Sequence, residues 1–223
     1  MAENPKMTLS PDETEARLAD SVFVHLQGAL RGSYRTADFA SAAAVVARVA
    51  AIADELGHHP HVRLGWGRAS FEISSHDVGG VTSRDLELAQ RIDEAATELG
   101  AERVAAVVSL YELAIDADDA ASIRPFWKAV LDYVDAPGAD AEDGDLVDPR
   151  GLGPLVWFQQ MEVARTDRNR IHLDVYVPAE HAEARLAATL EAGGTLVTDE
   201  FAPDWWVVAD AEGNEACICT SAR

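Results

Sequence analysis

Between Phe39 and Leu56 apolar side chains recur every three or four residues, at Phe39, Ala43, Val46, Ala50, Ala53 and Leu56, and Gly57 follows. That spacing lays one apolar stripe along an α-helix, and a glycine just past it marks the stop, because glycine takes the left-handed conformation that ends helices. A second stripe, Leu86, Ala89, Ile92, Ala96 and Leu99, predicts a helix over 82–99 that Gly100 ends, with Thr82 and Asp85 as its capping box. Two such helices need an apolar layer to cover. The flanking segments supply it, as strand pairs at 22–26 and 30–34 around Gly28, and at 62–66 and 69–74 around Gly65 and Gly67. Ser10-Pro11-Asp12-Glu13 reads as a further helix start, with Ser at N-cap and Pro at N1. The first half is therefore α+β, an antiparallel sheet with helices on one face.

The second half carries its own order. A strand over 107–115, a helix over Ala120–Leu131, an acidic loop over 137–148 and a strand over 154–161 come first. Then follow a strand over 171–177, a helix over 179–192 stopped by Gly193-Gly194, and strands over 205–209 and 216–219. Two tandem βαββ modules account for this pattern. With the joint at 100–104, the expected domains are 1–103 and 104–223.

A net charge of −21 repels phosphate backbones and anionic headgroups, which argues against nucleic acid and membrane as partners. The plainer account of the charge is an acidic surface adapted for solubility. Cys217 and Cys219 lie two apart, too far for an unstrained disulfide within one strand and too few for a zinc-finger pattern, so reduced thiols are expected. No apolar run reaches the ~20 residues of a membrane span, and residues 1–6 lack a signal-peptide core, so the expected location is the cytoplasm.

His58, His59, His61 and His76 crowd together, the first two just past the long helix and His76 just past the following strand pair. Elements adjacent in sequence usually pack together, so these histidines can converge at one rim of the sheet. Each residue also has a plain structural role available. A histidine at a helix C-terminus is favoured by the dipole, Asp77 before Gly79-Gly80 suits a turn, and Asp85 suits a capping box. The set as a whole is more specific. Asp54, His58-His59-Pro60, Trp66, His76 and Asp85, in this order and spacing, resemble the signature of the pterin-4a-carbinolamine dehydratases. So does the flanking text, Ser75-His76-Asp77 leading through Gly79-Gly80-Val81-Thr82 to Arg84-Asp85.

That resemblance implies loss of water from a 4a-hydroxytetrahydropterin, with no metal or organic cofactor. The hydroxyl leaves more readily once protonated, and a ring nitrogen gives up a proton as the new double bond forms. Imidazole, with an unperturbed pKa of about 6.5, can serve as either acid or base. By position, His58 and His76 become the acid and base in an order left open, and His59 holds the substrate. Asp54, Ser75, Asp77, Arg84 and Asp85 would orient the histidines or the pterin, and Pro60 would fix the loop. One departure is His61-Val62, where many members have an acid and a tryptophan.

The second half resembles the glyoxalase/bleomycin-resistance/dioxygenase family, also called vicinal oxygen chelate. The likeness rests on Phe126-Trp127 followed by Val130-Leu131, on 169–174 (Asn-Arg-Ile-His-Leu-Asp), and on Trp206-Val207-Val208-Ala209-Asp210 leading to Gly213-Asn214-Glu215. Its scheme of ligands on first and last strands points to Glu112, Gln159 or Gln160, His172 and Glu215 as holders of a divalent ion. The same residues also read as polar positions on half-exposed strands. Three functions follow: a pterin dehydratase fused to a glyoxalase-like domain, a small-molecule binding or assembly module, or a metal-dependent lyase or dioxygenase with an accessory first half. Both resemblances imply self-association into a homo-oligomer.

Overall fold

The computed structural model describes residues 5–104, 110–140, 142–163 and 171–220. The chain forms two compact units, Met1–Ser109 and Leu110–Arg223. Among the described residues no helix is long and apolar enough to cross a membrane.

In the first unit α1 (Pro11–Glu15) starts at Ser10, whose hydroxyl and the Glu13 carboxylate form a reciprocal capping box. Strands β1 (Val24–Leu26) and β2 (Ala29–Arg35) form a hairpin whose two turn residues, Gln27 and Gly28, have φ of +49° and +67°. Left-handed pairs of this kind match the twist of the strands they join. Helix α2 (Phe39–Leu56) keeps both bounds expected from its stripe, capped by the Asp38 carboxylate and ended by Gly57 at φ +60°. Strands β3 (His61–Gly65) and β4 (Arg68–Ile73), then α3 (Ser83–Glu98) and β5 (Glu102–Arg103), complete the unit. The sheet is antiparallel in the order β1-β2-β4-β3, with β5 on β2. Leu30, Tyr34, Phe71 and Ile73 meet Val45, Val49, Leu88 and Ile92 in one core. The opposite face is polar, with Arg31 3.3 Å from Glu72 and Ser33 2.8 Å from Ser70.

Within that core Tyr34 donates its hydroxyl to Asp93 Oδ1 at 2.6 Å. Ser21 donates to the other Asp93 oxygen, and Arg103 Nε lies 3.4 Å from Oδ1. Burial first, then the Asp93 carboxylate, push the phenol's pKa up. The segment 100–104, expected to be a joint, instead extends this sheet. Arg103 pairs with Tyr34, and the Val104 amide donates to Ser33 O at 3.0 Å. Two residues carry no periodicity, and only the partner strand reveals this pairing.

In the second unit β6 (Leu113–Ala117), α4 (Ala120–Leu131), β7 (Val134–Asp135), β8 (Leu146–Val147) and β9 (Val156–Gln160) form one module. The part of the expected strand at 107–109 lies outside the described residues, as does 169–170. The second module comprises β10 (Leu173–Val177), α5 (Ala179–Glu191), β11 (Thr195–Thr198), β12 (Trp205–Ala209) and β13 (Glu215–Thr220). The strand orders are β6-β9-β8-β7 and β10-β13-β12-β11, and in each sheet the first strand runs parallel to the last. The tandem repeat is therefore present, with one more strand per module than βαββ counts. Phe126, Trp127 and Val130 share a core with Val177, Trp206 and Ile218, which joins the two modules.

Asp148 ties down the loop after β8. It accepts the amides of Arg150, Leu152 and Gly153 at 3.0, 3.1 and 2.8 Å and the Arg150 guanidinium at 2.7 Å. Burial works to raise its pKa, but those bonds from Arg150, Gly153 and Leu152 prevail and hold it at about 2. Because the folded value lies below the ordinary one, the stabilisation is complete above about pH 4 and fades as pH falls toward 2. Asp148→Asn should cost about 2 kcal/mol at neutral pH, with a gap to wild type that narrows on acidification. Urea melts at several pH values would read this, and a pH-independent loss would remove the charge from the explanation.

Candidate active site

The end of α2 sets the first part of the site. Gly57 donates back to Ala53 and Asp54, and the His58 amide donates to Ala53 O at 3.1 Å. This closure fixes the direction in which His58 and His59 leave the helix. The β3–β4 hairpin then returns the chain: His61 pairs with Glu72, so residues just before His61 face residues just after β4.

His58 Nε2 lies 2.7 Å from Asp85 Oδ1, and its side chain is only 12% exposed. Asp85, fully buried, is the third residue of α3. Its Oδ2 accepts the Thr82 amide and the Ser75 hydroxyl, both at 2.7 Å, and the Thr82 hydroxyl at 3.0 Å. One carboxylate therefore does both things its position suggests, one oxygen capping the helix and the other holding the imidazole. With Asp85 accepting, the proton is assigned to His58 Nε2.

His59 is placed differently. Its Nε2 lies 3.0 Å from Asp54 Oδ1 in the last turn of α2, with side chains 61% and 79% exposed. Pro60 links it to β3 and is half-buried. His76 is exposed, and its ring meets that of His61 edge-on, centroids 5.5 Å apart. Asp77 pairs with Arg84 at 2.7 Å and with Lys6 at 3.4 Å. The Arg84 bond above all, with help from Lys6, holds the Asp77 carboxyl below the usual carboxylate range. The structure thus joins His58, Asp85, Ser75 and Thr82 in one chain, which Arg84 extends to Asp77 by donating its Nε to the Thr82 hydroxyl at 3.4 Å, and forms the separate pairs His59–Asp54 and His76–His61. Trp66 sits in the β3–β4 turn, at the other end of the hairpin from His61.

Two contributors stand out that the motif alone did not supply. His61 belongs to the histidine cluster but departs from the family pattern, yet it is the ring against His76. Thr82 was read as a cap, and its hydroxyl also joins the Asp85 network. The hairpin spacing carried a signal for His61, since it brings the start of β3 beside the end of β4.

In the second unit His172 and Glu215 line a cavity of about 340 Å³ with Leu113, Ile115, Trp127 and Leu173. Asp210 braces the turn ahead of Glu215, accepting the Trp127 indole at 2.9 Å and the Asn214 amide at 2.8 Å. Glu112 precedes β6 and is exposed. Gln160 donates to Asp118 O at 2.8 Å, and Gln159 to Gln160 O at 3.4 Å. His172 Nε2 is 3.3 Å from Asp174 Oδ1, and Cys217 adds its sulfur, the three ligand atoms lying within 4.8 Å of one another. Burial, then the hydrogen bond to Asp174, push the Cys217 thiol up to about 12. Cys217 and Cys219 are both free and buried.

Residues 7–95 match the model of the family described as pterin 4 alpha carbinolamine dehydratase. A Streptomyces coelicolor protein provisionally named as such a dehydratase is 40% identical over 99 residues, which span 44% of this chain and 98% of that protein. The chain belongs to the pterin-4-alpha-carbinolamine dehydratase family. A similarly named Roseiflexus sp. protein is 39% identical over 87 residues, covering 39% of this dehydratase-family chain and 94% of its own. Residues 112–219 match a second family model, described as glyoxalase-like domain. Among solved structures, a transcriptional coactivator/pterin dehydratase from Brucella melitensis aligns with a TM-score of 0.39 and 25% identity, over 40% of this chain and 99% of that one. A glyoxalase/bleomycin resistance protein/dioxygenase family enzyme from Burkholderia phytofirmans aligns with a TM-score of 0.41 and 18% identity, over 51% and 98%.

Proposed function

We propose that the first unit dehydrates a 4a-hydroxytetrahydropterin to the quinonoid dihydropterin. The observation that supports this reading is the difference in exposure among the histidines. His58 is enclosed and bound to Asp85, whereas His59 and His76 are exposed, each beside a second polar group. The reaction moves two protons, one to the departing hydroxyl and one away from a ring nitrogen. Two accessible imidazoles match that demand, and proton transfer alone calls for no cofactor.

On this geometry His59, backed by Asp54, and His76, against His61, are the proton-transfer pair. His58 becomes a positioning residue, because Asp85 occupies its Nε2 and little of the ring is open to a substrate. This reassigns the roles that the family resemblance implied, in which His58 reacted and His59 bound. The Asp77–Arg84 pair lies next along the chain from His76 and would orient the pterin's polar edge.

The test is dehydration of a freshly generated 4a-hydroxytetrahydropterin, followed by ultraviolet absorbance with the full chain. Acceleration over the spontaneous rate is expected. A wild-type rate equal to that background would end the dehydratase reading.

A further inference from the structure

We propose that the second unit holds a zinc-class divalent cation on His172, Asp174 and Cys217, with one coordination position open to the adjoining cavity. The three side chains come together through the parallel pairing of β10 and β13. Asp174 and Cys217 are register partners, and His172 precedes Asp174 by two positions, so both project from the same face of the sheet. The spacings already approach a coordination shell. His172 Nε2 and Asp174 Oδ1 are 3.3 Å apart, and no ligand atom is more than 4.8 Å from another. Bonds of about 2.0–2.3 Å in a tetrahedral site place ligand atoms about 3–4 Å apart, so modest side-chain rotation closes the set.

The donor types select the ion. One imidazole nitrogen, one carboxylate oxygen and one thiolate sulfur suit borderline zinc, whereas magnesium and calcium favour all-oxygen shells. Cys217 is buried while His172 and Asp174 are nearly half exposed, which gives the ion a path in and a sulfur shielded from bulk solvent. Three protein ligands leave a tetrahedral ion one vacancy. His172 lines the 340 Å³ cavity and Asp174 a second of about 360 Å³, and Leu113 and Leu173 line both. A ligand reaching that vacancy would be a small molecule with one oxygen or sulfur donor and an apolar body. This set keeps His172 from the scheme that resemblance implied and replaces its two glutamates.

The full chain, stripped of metal, would be titrated with Zn²⁺ by calorimetry and with Co²⁺ by absorbance. One ion per chain is expected, and the Co²⁺ form should show a thiolate-to-metal charge-transfer band in the near ultraviolet. Cys217→Ser should abolish the band, and His172→Ala or Asp174→Asn should weaken binding by more than about 100-fold, beyond the loss usual for an outer-shell partner. Cys219→Ser should bind as wild type does. If Cys217→Ser fails to fold, the wild-type band together with zinc protection of Cys217, but not Cys219, from alkylation carries the same information. Stoichiometric uptake without the band, no uptake at all, or binding lost in Glu112→Gln but kept in Cys217→Ser would each overturn the proposal.

Discussion

His59→Ala is expected to lower kcat for pterin dehydration by about 100- to 10,000-fold, the range usual for loss of a general acid or base. The fold should survive, since the His59 side chain is 61% exposed and its recorded partner, Asp54, is more exposed still. His58→Ala should behave in the opposite way. It removes the donor on Asp85 Oδ1, at a site with 12% exposure on the histidine side and none on the aspartate side. An unsatisfied buried acceptor costs about 1–3 kcal/mol, so the main loss should be stability. Rates and thermal melts on both variants separate the two roles. A folded His58→Ala protein that loses more turnover than His59→Ala would return the reacting role to His58.

The histidine rim shows what a sequence can and cannot convey about a site. The stripe of α2 and its glycine stop put His58 and His59 just past a helix end, and the structure agrees with both bounds. The same reasoning could not divide their roles, because that depends on which ring turns toward α3. It is Asp85, on a later helix, that holds the His58 ring toward α3 with a 2.7 Å contact. In the second unit the alternation of His172 with Asp174, and of Glu215 with Cys217 and Cys219, is visible in the sequence. That β10 lies beside β13 is not, because a helix and two strands intervene. The missed strands follow the same logic. β7 and β8 are two residues each and exist through pairings such as Val134 with Val147, which no local pattern encodes. β11 is a different case, since its Thr195-Leu196-Val197-Thr198 run straight after Gly193-Gly194 is β-branched enough to have been read as a strand.

Asp85→Ala should have the largest effect on stability in the first unit, about 3–5 kcal/mol. A fully buried carboxylate here receives His58 Nε2, the Ser75 hydroxyl, and both the amide and the hydroxyl of Thr82. Alanine leaves all four donors without that acceptor and uncaps α3. Asp85→Asn distinguishes the two oxygens. Its carbonyl can still serve Thr82 and Ser75, but its NH₂ then faces His58 Nε2, and two donors cannot bond. The conflict is relieved only if His58 moves its proton to Nδ1, so a milder loss in Asn than in Ala would be accompanied by a changed tautomer. Residue-resolved hydrogen exchange is the right readout, because a chain of two compact units need not unfold in one step. The Thr82 amide and the first turn of α3 should lose protection most in Asp85→Ala, less in Asp85→Asn, and ¹⁵N shifts of the His58 ring would report the tautomer. Equal protection in both variants would mean that the capping oxygen contributes little, leaving the His58 contact as the reason the carboxylate is buried.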